Sequence, residues 1–251
     1  MDFLNSARIA SRFEYVEQTG STNTDLVAAA SENPQNFPHL SLLVAGSQTA
    51  GRGRTGRAWV SPAGKSLSIS VLVRPHGWSA DNFGWLPLVA GVAMRSAVKS
   101  ALPESSVGLK WPNDVQVNGR KISGILSELL PGATGVVIGA GVNLALEKDE
   151  LPIEAATSLL LEGSNISPDE FLASYLSNLA ELLKNFEAAV ARIRSECSTI
   201  GQTVRAIFPD GSELIGLATG IDDAGRLLIS VAGQSDLFAV SAADIQHLRH
   251  N

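Results

Sequence analysis

Gly51-Arg52-Gly53-Arg54-Thr55-Gly56-Arg57-Ala58-Trp59-Val60-Ser61-Pro62-Ala63-Gly64-Lys65 runs directly into Ser66-Leu67-Ser68-Ile69-Ser70-Val71-Leu72-Val73. The first seven residues hold three glycines and three arginines. Glycine lets the backbone approach a ligand closely and adopt positive φ. Arginine offers a fixed fork of N–H donors that suits carboxylate or phosphate. No acid occurs from Asn33 through Ala80, although the chain carries 25 Asp+Glu against 19 Lys+Arg. Such a loop is either a site for an anion or a mobile surface loop whose arginines serve solubility, and its composition alone leaves both open.

The residues immediately after the loop decide the architecture. Gly51-x-Gly53-x-x-Gly56 has the spacing of a dinucleotide fingerprint, which works only if a helix starts at the last glycine and holds a pyrophosphate. Here Trp59, Pro62 and Gly64 come next, and then an alternating strand over 66–73. That excludes the dinucleotide fold. A kinase glycine loop also lies between strands, but no His-Arg-Asp or Asp-Phe-Gly motif occurs downstream. Gly64-Lys65-Ser66 resembles the end of a P-loop, yet no helix succeeds it and Trp59 stands at its first glycine.

Outward from the loop, strands are predicted at 13–18, 40–45, 107–110, 115–117, 121–129 and 135–144. Asn118-Gly119 marks a tight hairpin. Ser21 or Thr22 starts a helix, with Asp25 placed for a capping-box pattern. Periodicity predicts a helix over 79–102, with Pro87 in its first turn or at a kink. A second helix is predicted from Ser167 to about Cys197, opening with Pro168-Asp169-Glu170. From about Thr199, short strands alternate with turn signals at a spacing that suggests a small β barrel. A second cationic cluster lies at Lys110, beside Trp111-Pro112-Asn113-Asp114, and at Lys121.

The 251 residues are 45% hydrophobic and 18% charged, enough for a real core, with a formal net charge of −6. Without a long basic run, bulk nucleic-acid binding is not expected. Cys197 is the only cysteine, so no disulfide framework forms within the chain, which fits a reducing compartment. His39, His76, His247 and His250 are scattered, so no metal site is expected. No signal peptide or membrane span is visible, and a cytoplasmic protein is expected.

Ser21-Thr22-Asn23, Gln48 with the 51–59 loop, Lys110-Trp111-Pro112-Asn113-Asp114, Lys121-Ile122-Ser123-Gly124-Ile125-Leu126 and Gly139-Ala140-Gly141-Val142-Asn143 occur in this order. Together they resemble a bacterial biotin protein ligase, over essentially the whole chain. The resemblance implies a mixed α/β catalytic domain over 1–198, related to class II aminoacyl-tRNA synthetases, and an SH3-like C-terminal barrel over 199–251. Only about a dozen residues precede the first predicted strand, so the monofunctional class without a DNA-binding domain is expected.

The resemblance also implies the chemistry: biotin and Mg-ATP give biotinyl-5′-adenylate, and a carrier-domain lysine then takes the biotinyl group. It implies biotin contacts from Ser21, Thr22, Asn23, Gln48, Gly51, Arg52, Gly53, Arg54 and Lys110. It implies ATP or adenylate contacts from Arg54, Arg57, Trp59, Asn113, Lys121 and Asn143, with Lys110, Arg52 and Lys121 in catalysis. The partner implied is the biotin carboxyl carrier protein or domain of acetyl-CoA carboxylase or a related carboxylase, with the enzyme a monomer or weak homodimer. Asp244, Leu248 and Arg249 match the family's terminal pattern only loosely and are given no site role.

Overall fold

In the computed structural model, which describes residues 2–248, a seven-stranded mixed sheet is joined to a five-stranded antiparallel sheet. Arg249, His250 and the end of the expected C-terminal domain lie outside the described residues. The chain opens with a short helix that the sequence did not signal, α1 (Leu4–Ile9). Its first amides donate to the Asp169 carboxylate at 2.9 Å, which fastens the N-terminus to a helix far along the chain. Then come β1 (Arg12–Thr19), α2 (Thr22–Glu32), β2 (Ser41–Gln48) and β3 (Ser66–Val73). Ser21 is the N-cap of α2. The expected capping box does not form, because the Asp25 carboxylate turns back to the Thr19 hydroxyl.

The helix expected over 79–102 starts as a 3-10 turn at Ala80–Trp85 and becomes α-helical only as α3 (Leu86–Ala101), with Pro87 in its first turn. Proline lacks an amide hydrogen, which costs nothing at that position. β4 (Val107–Lys110), β5 (Asp114–Val117), β6 (Arg120–Leu129) and β7 (Val136–Asn143) come next. Asn118 and Gly119 both have positive φ, 51° and 79°, as a two-residue hairpin requires. The single helix expected from Ser167 to about Cys197 is two: α4 (Pro168–Leu182) and α5 (Phe186–Glu196). Asn185 interrupts it by capping α5, its side chain accepting from the Ala188 amide at 2.9 Å.

The large sheet has the order β1-β2-β3-β7-β6-β5-β4, parallel only between β1 and β2. One face packs on α3 and α4, where Leu86, Val89, Ala93, Met94, Phe171 and Tyr175 are wholly buried. On the other face α2 covers only one end, through Leu26 and Ala30 against Leu43, Leu72 and Val137. The rest of that face is left for a site. β8 (Thr203–Ile207), β9 (Glu213–Ile221), β10 (Leu227–Ser230), β11 (Leu237–Val240) and β12 (Asp244–His247) form the second sheet, in the order β11-β10-β9-β8-β12. β12, which sequence patterning missed, pairs antiparallel with β8. No helix among the described residues is long and apolar enough to cross a membrane.

Candidate active site

Strand register brings the two cationic clusters together. Lys110 pairs with Asp114, Asp114 with Gly124, Gly124 with Gly141, and Gly141 with Ser68. These residues form one row across the open face, because paired residues project to the same side. A second row, two residues along, runs Leu126, Gly139, Ser70. Side chains alternate along a strand, so Lys121 and Gly124 would normally point to opposite faces. The register shift where β5 meets β6 places Lys121 opposite Gln116 and Ser123 opposite Val115. Such a bulge re-aims a side chain, and Lys121 duly lies above Gly124.

The glycines keep the floor bare. A Cβ on Gly139 would sit 2.8 Å from Asn23 Cγ and closer still to its Oδ1. A Cβ on Gly141 would sit 2.5 Å from Trp59 Cζ2 and closer still to Cε2 and Nε1. The bare floor thus lets Asn23 and Trp59 settle onto the sheet. Over it opens a cavity of about 770 Å³, of the size that holds a cofactor or drug-sized ligand. Ser21, Thr22, Asn23, Gln48, Arg52, Gly53, Arg54, Arg57, Trp59, Lys110, Asn113, Lys121 and Asn143 all line it. Gly51 does not. It stands behind the wall, its carbonyl accepting from the Trp59 amide at 2.9 Å, and a Cβ there would crowd Gln48 Nε2 at 2.9 Å.

One end of the cavity is a polar relay. Gln48 Oε1 accepts from the Thr22 amide at 2.9 Å. Ser70 Oγ lies 2.8 Å from Thr22 Oγ1 and 2.6 Å from Asn23 Oδ1. Thr22 Oγ1 donates to Gln48 Oε1 at 3.1 Å, and the one Ser70 hydroxyl proton is shared between Thr22 Oγ1 and Asn23 Oδ1. Asn23 Nδ2 donates to the Leu126 carbonyl at 3.1 Å and to Glu128 at 3.0 Å. Buried polar groups with such directed partners are held in one orientation.

Cations run from the relay, where Arg52 shares Glu128 with Asn23, to the other end of the cavity, and each loop arginine has a partner. Arg52 Nη2 donates to both Glu128 oxygens, at 2.6 and 2.7 Å. Arg57 Nη2 donates to Asp244 at 2.6 Å, and Arg54 Nη1 to Asn113 Oδ1 at 3.2 Å. Lys121 Nζ sits 2.6 Å from Asp114 Oδ1, a close charge contact rather than an in-line hydrogen bond, and 5.9 Å from the Trp59 ring centre. The half-buried Lys110 ammonium makes no hydrogen bond or ion pair among the described residues. Burial holds its pKa below the usual lysine value, while Asp114 and Asp244 pull it back up. Asn113 and Asn143 are anchored, their Nδ2 atoms donating to Ile125 O at 2.7 Å and Thr157 O at 2.9 Å.

Sequence reasoning missed Ser70 and Glu128, and noted Asp244 but gave it no site role. Ser70 was legible only as one of three serines in an alternating strand, and Glu128 reaches the loop only through the sheet register. Asp244 belongs to β12, yet its carboxylate meets a loop arginine of the large domain. Ile207, Phe208, Pro209 and Ala243 of the second sheet also border the cavity. Among the described residues no cluster of His, Cys, Asp and Glu could hold a metal ion.

A mixed α/β domain that gathers cations over a glycine floor, with a small β domain closing one side, defines an enzyme that handles anionic small molecules. Residues 15–143 match the biotin/lipoate A/B protein ligase family, and residues 199–248 match the biotin protein ligase C terminal domain. The chain belongs to this family. It is 38% identical to the biotin–[acetyl-CoA-carboxylase] ligase of Mycobacterium tuberculosis, over 95% of this chain and 90% of that one. It is 34% identical to the protein of the same name from Paracoccus denitrificans, over 91% of this chain and 97% of that one. It also superposes on the biotin protein ligase of Aquifex aeolicus in complex with biotin and ATP. There the TM-score is 0.78 at 28% identity, covering 95% of this chain and all of the other.

Proposed function

We propose that this protein uses ATP to attach biotin to one lysine of a carboxylase's biotin carboxyl carrier domain, through biotinyl-5′-adenylate. The observation that carries this is one cavity in which a polar relay runs into a row of cations, ending at Lys110, which has no hydrogen bond or ion pair among the described residues. The first step brings two anions together: a carboxylate attacks the α-phosphorus and pyrophosphate leaves. Such a step needs positive charge that is already in place. Lys110, with no hydrogen bond or ion pair among the described residues, is available to the carboxylate and the α-phosphate oxygens; Arg57 and Lys121 lie near it, Arg54 is on Asn113, and Arg52 stands on Glu128 beside the relay. Each of those four must trade its Glu128, Asn113, Asp244 or Asp114 partner for a ligand oxygen. Those partners hold the cations in position beforehand, and the exchange accompanies ligand binding, before the chemical step.

In the second step the carrier's uncharged ε-amine attacks the mixed anhydride carbonyl, an amide forms, and AMP leaves with the bonding pair. No enzyme nucleophile is needed, and none is placed: Cys197 is buried, with its thiol pKa raised by burial. Mg²⁺ enters as Mg-ATP, part of the substrate. Ser21, Thr22, Asn23 and Gln48 are assigned to the biotin ring system, Gly53 to the backbone that approaches it, with Gly51 supporting the wall behind Gln48, and Trp59, Asn113 and Asn143 to the nucleotide side.

The division into a catalytic domain over 1–198 and a C-terminal domain over 199–251 belongs to the same proposal, as do cytoplasmic location, a monomer or weak dimer, and no DNA binding. A lipoate ligase is the nearest alternative within the family. The relay favours biotin, because a ureido ring offers donors and acceptors to it, whereas a dithiolane ring would leave buried polar groups unmatched. The test is incubation with Mg-ATP, a carrier domain and either biotin or lipoate. A carrier mass gain of one biotinyl group supports the proposal. Lipoyl transfer, or tight biotin binding without transfer, refutes it.

A further inference from the structure

Cys197-Ser198-Thr199 connects α5 to the second sheet and runs beside β4, the edge strand that ends in Lys110. Leu109 and Cys197 form a parallel bridge, and Ser198 donates to the Leu109 carbonyl from its amide at 2.8 Å and from Oγ at 3.0 Å. One step further the pattern changes. The Trp111 amide donates to a side chain, Thr199 Oγ1, at 3.0 Å. Thr199 is wholly buried. Its oxygen accepts the Trp111 proton and lies 3.1 Å from His247 Nε2 on β12, a hydrogen bond whose donor is set by the imidazole tautomer. The Trp111 indole is held from the same side, donating to the Gly225 carbonyl at 3.1 Å. The peptide joining Lys110 to Trp111 is therefore fastened by a hydroxyl that also meets a histidine of the second sheet.

We propose that Thr199, hydrogen-bonded to His247, is a positioning residue that fixes the Lys110–Trp111 peptide and through it the Lys110 ammonium. Lys110 has no side-chain hydrogen bond or ion pair of its own among the described residues, so its place depends on its backbone. A displacement of about 1 Å at a reacting centre is enough to slow a reaction heavily. Valine at 199 keeps the shape but neither accepts nor donates. Serine does both. This inference rests on the ligase reading of Lys110.

The test compares wild type, Thr199→Val, Thr199→Ser and His247→Leu by biotin-dependent ATP–pyrophosphate exchange and by amide hydrogen exchange at Trp111. Thr199→Val is expected to lower kcat about ten-fold and to speed Trp111 amide exchange about ten-fold, the scale of one neutral hydrogen bond. The KM for biotin should stay within about three-fold, because the ring contacts lie at the other end of the cavity. Thr199→Ser restores both readouts, and His247→Leu shifts both in the same direction by less. An unchanged kcat or an unchanged Trp111 amide in the valine variant overturns the inference, as does serine behaving like valine. Should the valine variant fail to fold, His247→Leu decides by the same two readouts. A wild type with no exchange activity refutes the ligase reading instead, and the Trp111 amide still decides the tether.

Discussion

Gly141→Ala adds a single methyl group to the floor of the cavity. The new Cβ would lie 2.5 Å from Trp59 Cζ2 and nearer still to Cε2 and Nε1. Carbon atoms rest at about 3.5–4.0 Å, so the indole must retreat by at least about 1 Å. The strand cannot give way, because Gly141 is paired on both sides, with Gly124 and Ser68. Trp59 can leave, because its buried Nε1 has no hydrogen-bond partner. It would give up its place near Lys121 and strain the Trp59–Gly51 backbone bond that closes the loop. A shift of this size at a reacting centre predicts about a 100-fold loss in kcat/KM for ATP. The melting temperature should hardly move, since the displaced ring borders an open cavity.

Gly124→Ala is the matched control. Its Cβ would meet the flexible end of Lys121 at 3.2 Å and Trp59 Cζ3 at 3.4 Å, both of which yield easily, so a loss of only about three-fold is expected on the scale of one small steric adjustment. Biotin-dependent ATP–pyrophosphate exchange reads both variants. Equal activities for Gly141→Ala and Gly124→Ala, or a Gly141→Ala variant within about three-fold of wild type, would refute the glycine-floor argument.

Lys110→Ala should lower adenylate formation at least about 100-fold, the scale of removing one preorganised charge-stabilising group, and near-normal pyrophosphate release would take Lys110 out of the mechanism. Gly53→Val should weaken ligand retention with little change in melting temperature, because Gly53 has an extended backbone and the nearest atoms to its Cβ all belong to Arg57 of the same loop, the closest being O at 3.3 Å. A large fall in ligand-free melting temperature would count against it. Activity should fall as pH rises through the Lys110 pKa, at lower pH than for an exposed lysine, since burial disfavours its charged form. Asp114→Asn removes a charge that raises this pKa, so the alkaline limb of the rate profile should move to still lower pH. A shift to higher pH would contradict the assignment.

Much of this site could be read from the chain because its determinants are local. Asn118-Gly119 announces its own hairpin, and the strand at 66–73 shows its period directly. The glycine–arginine loop is legible because glycine and arginine each do something no other residue does there. What was hidden depends on register and on pairings distant in sequence. Nothing near Lys121 announces the bulge that turns it toward the cavity; it appears only when β5 and β6 are laid side by side. Glu128 looks like an ordinary strand-end acid until Arg52 meets it across 76 residues of chain. Asp244 lies in a short strand with little hydrophobic alternation, and its tie to Arg57 spans 187 residues. The break between α4 and α5 was overlooked for a different reason: apolar periodicity continues through it, and only the capping chemistry of Asn185 marks it.

The most direct test of the account is a single-turnover incubation of the protein with biotin and Mg-ATP, without carrier, quenched and analysed for products. The account predicts biotinyl-5′-adenylate and pyrophosphate in equal amounts, close to one per protein molecule, and loss of the adenylate as biotinylated carrier appears when a carrier domain is added. Biotin held without any adenylate, or ATP cleaved equally well with biotin absent, would contradict it.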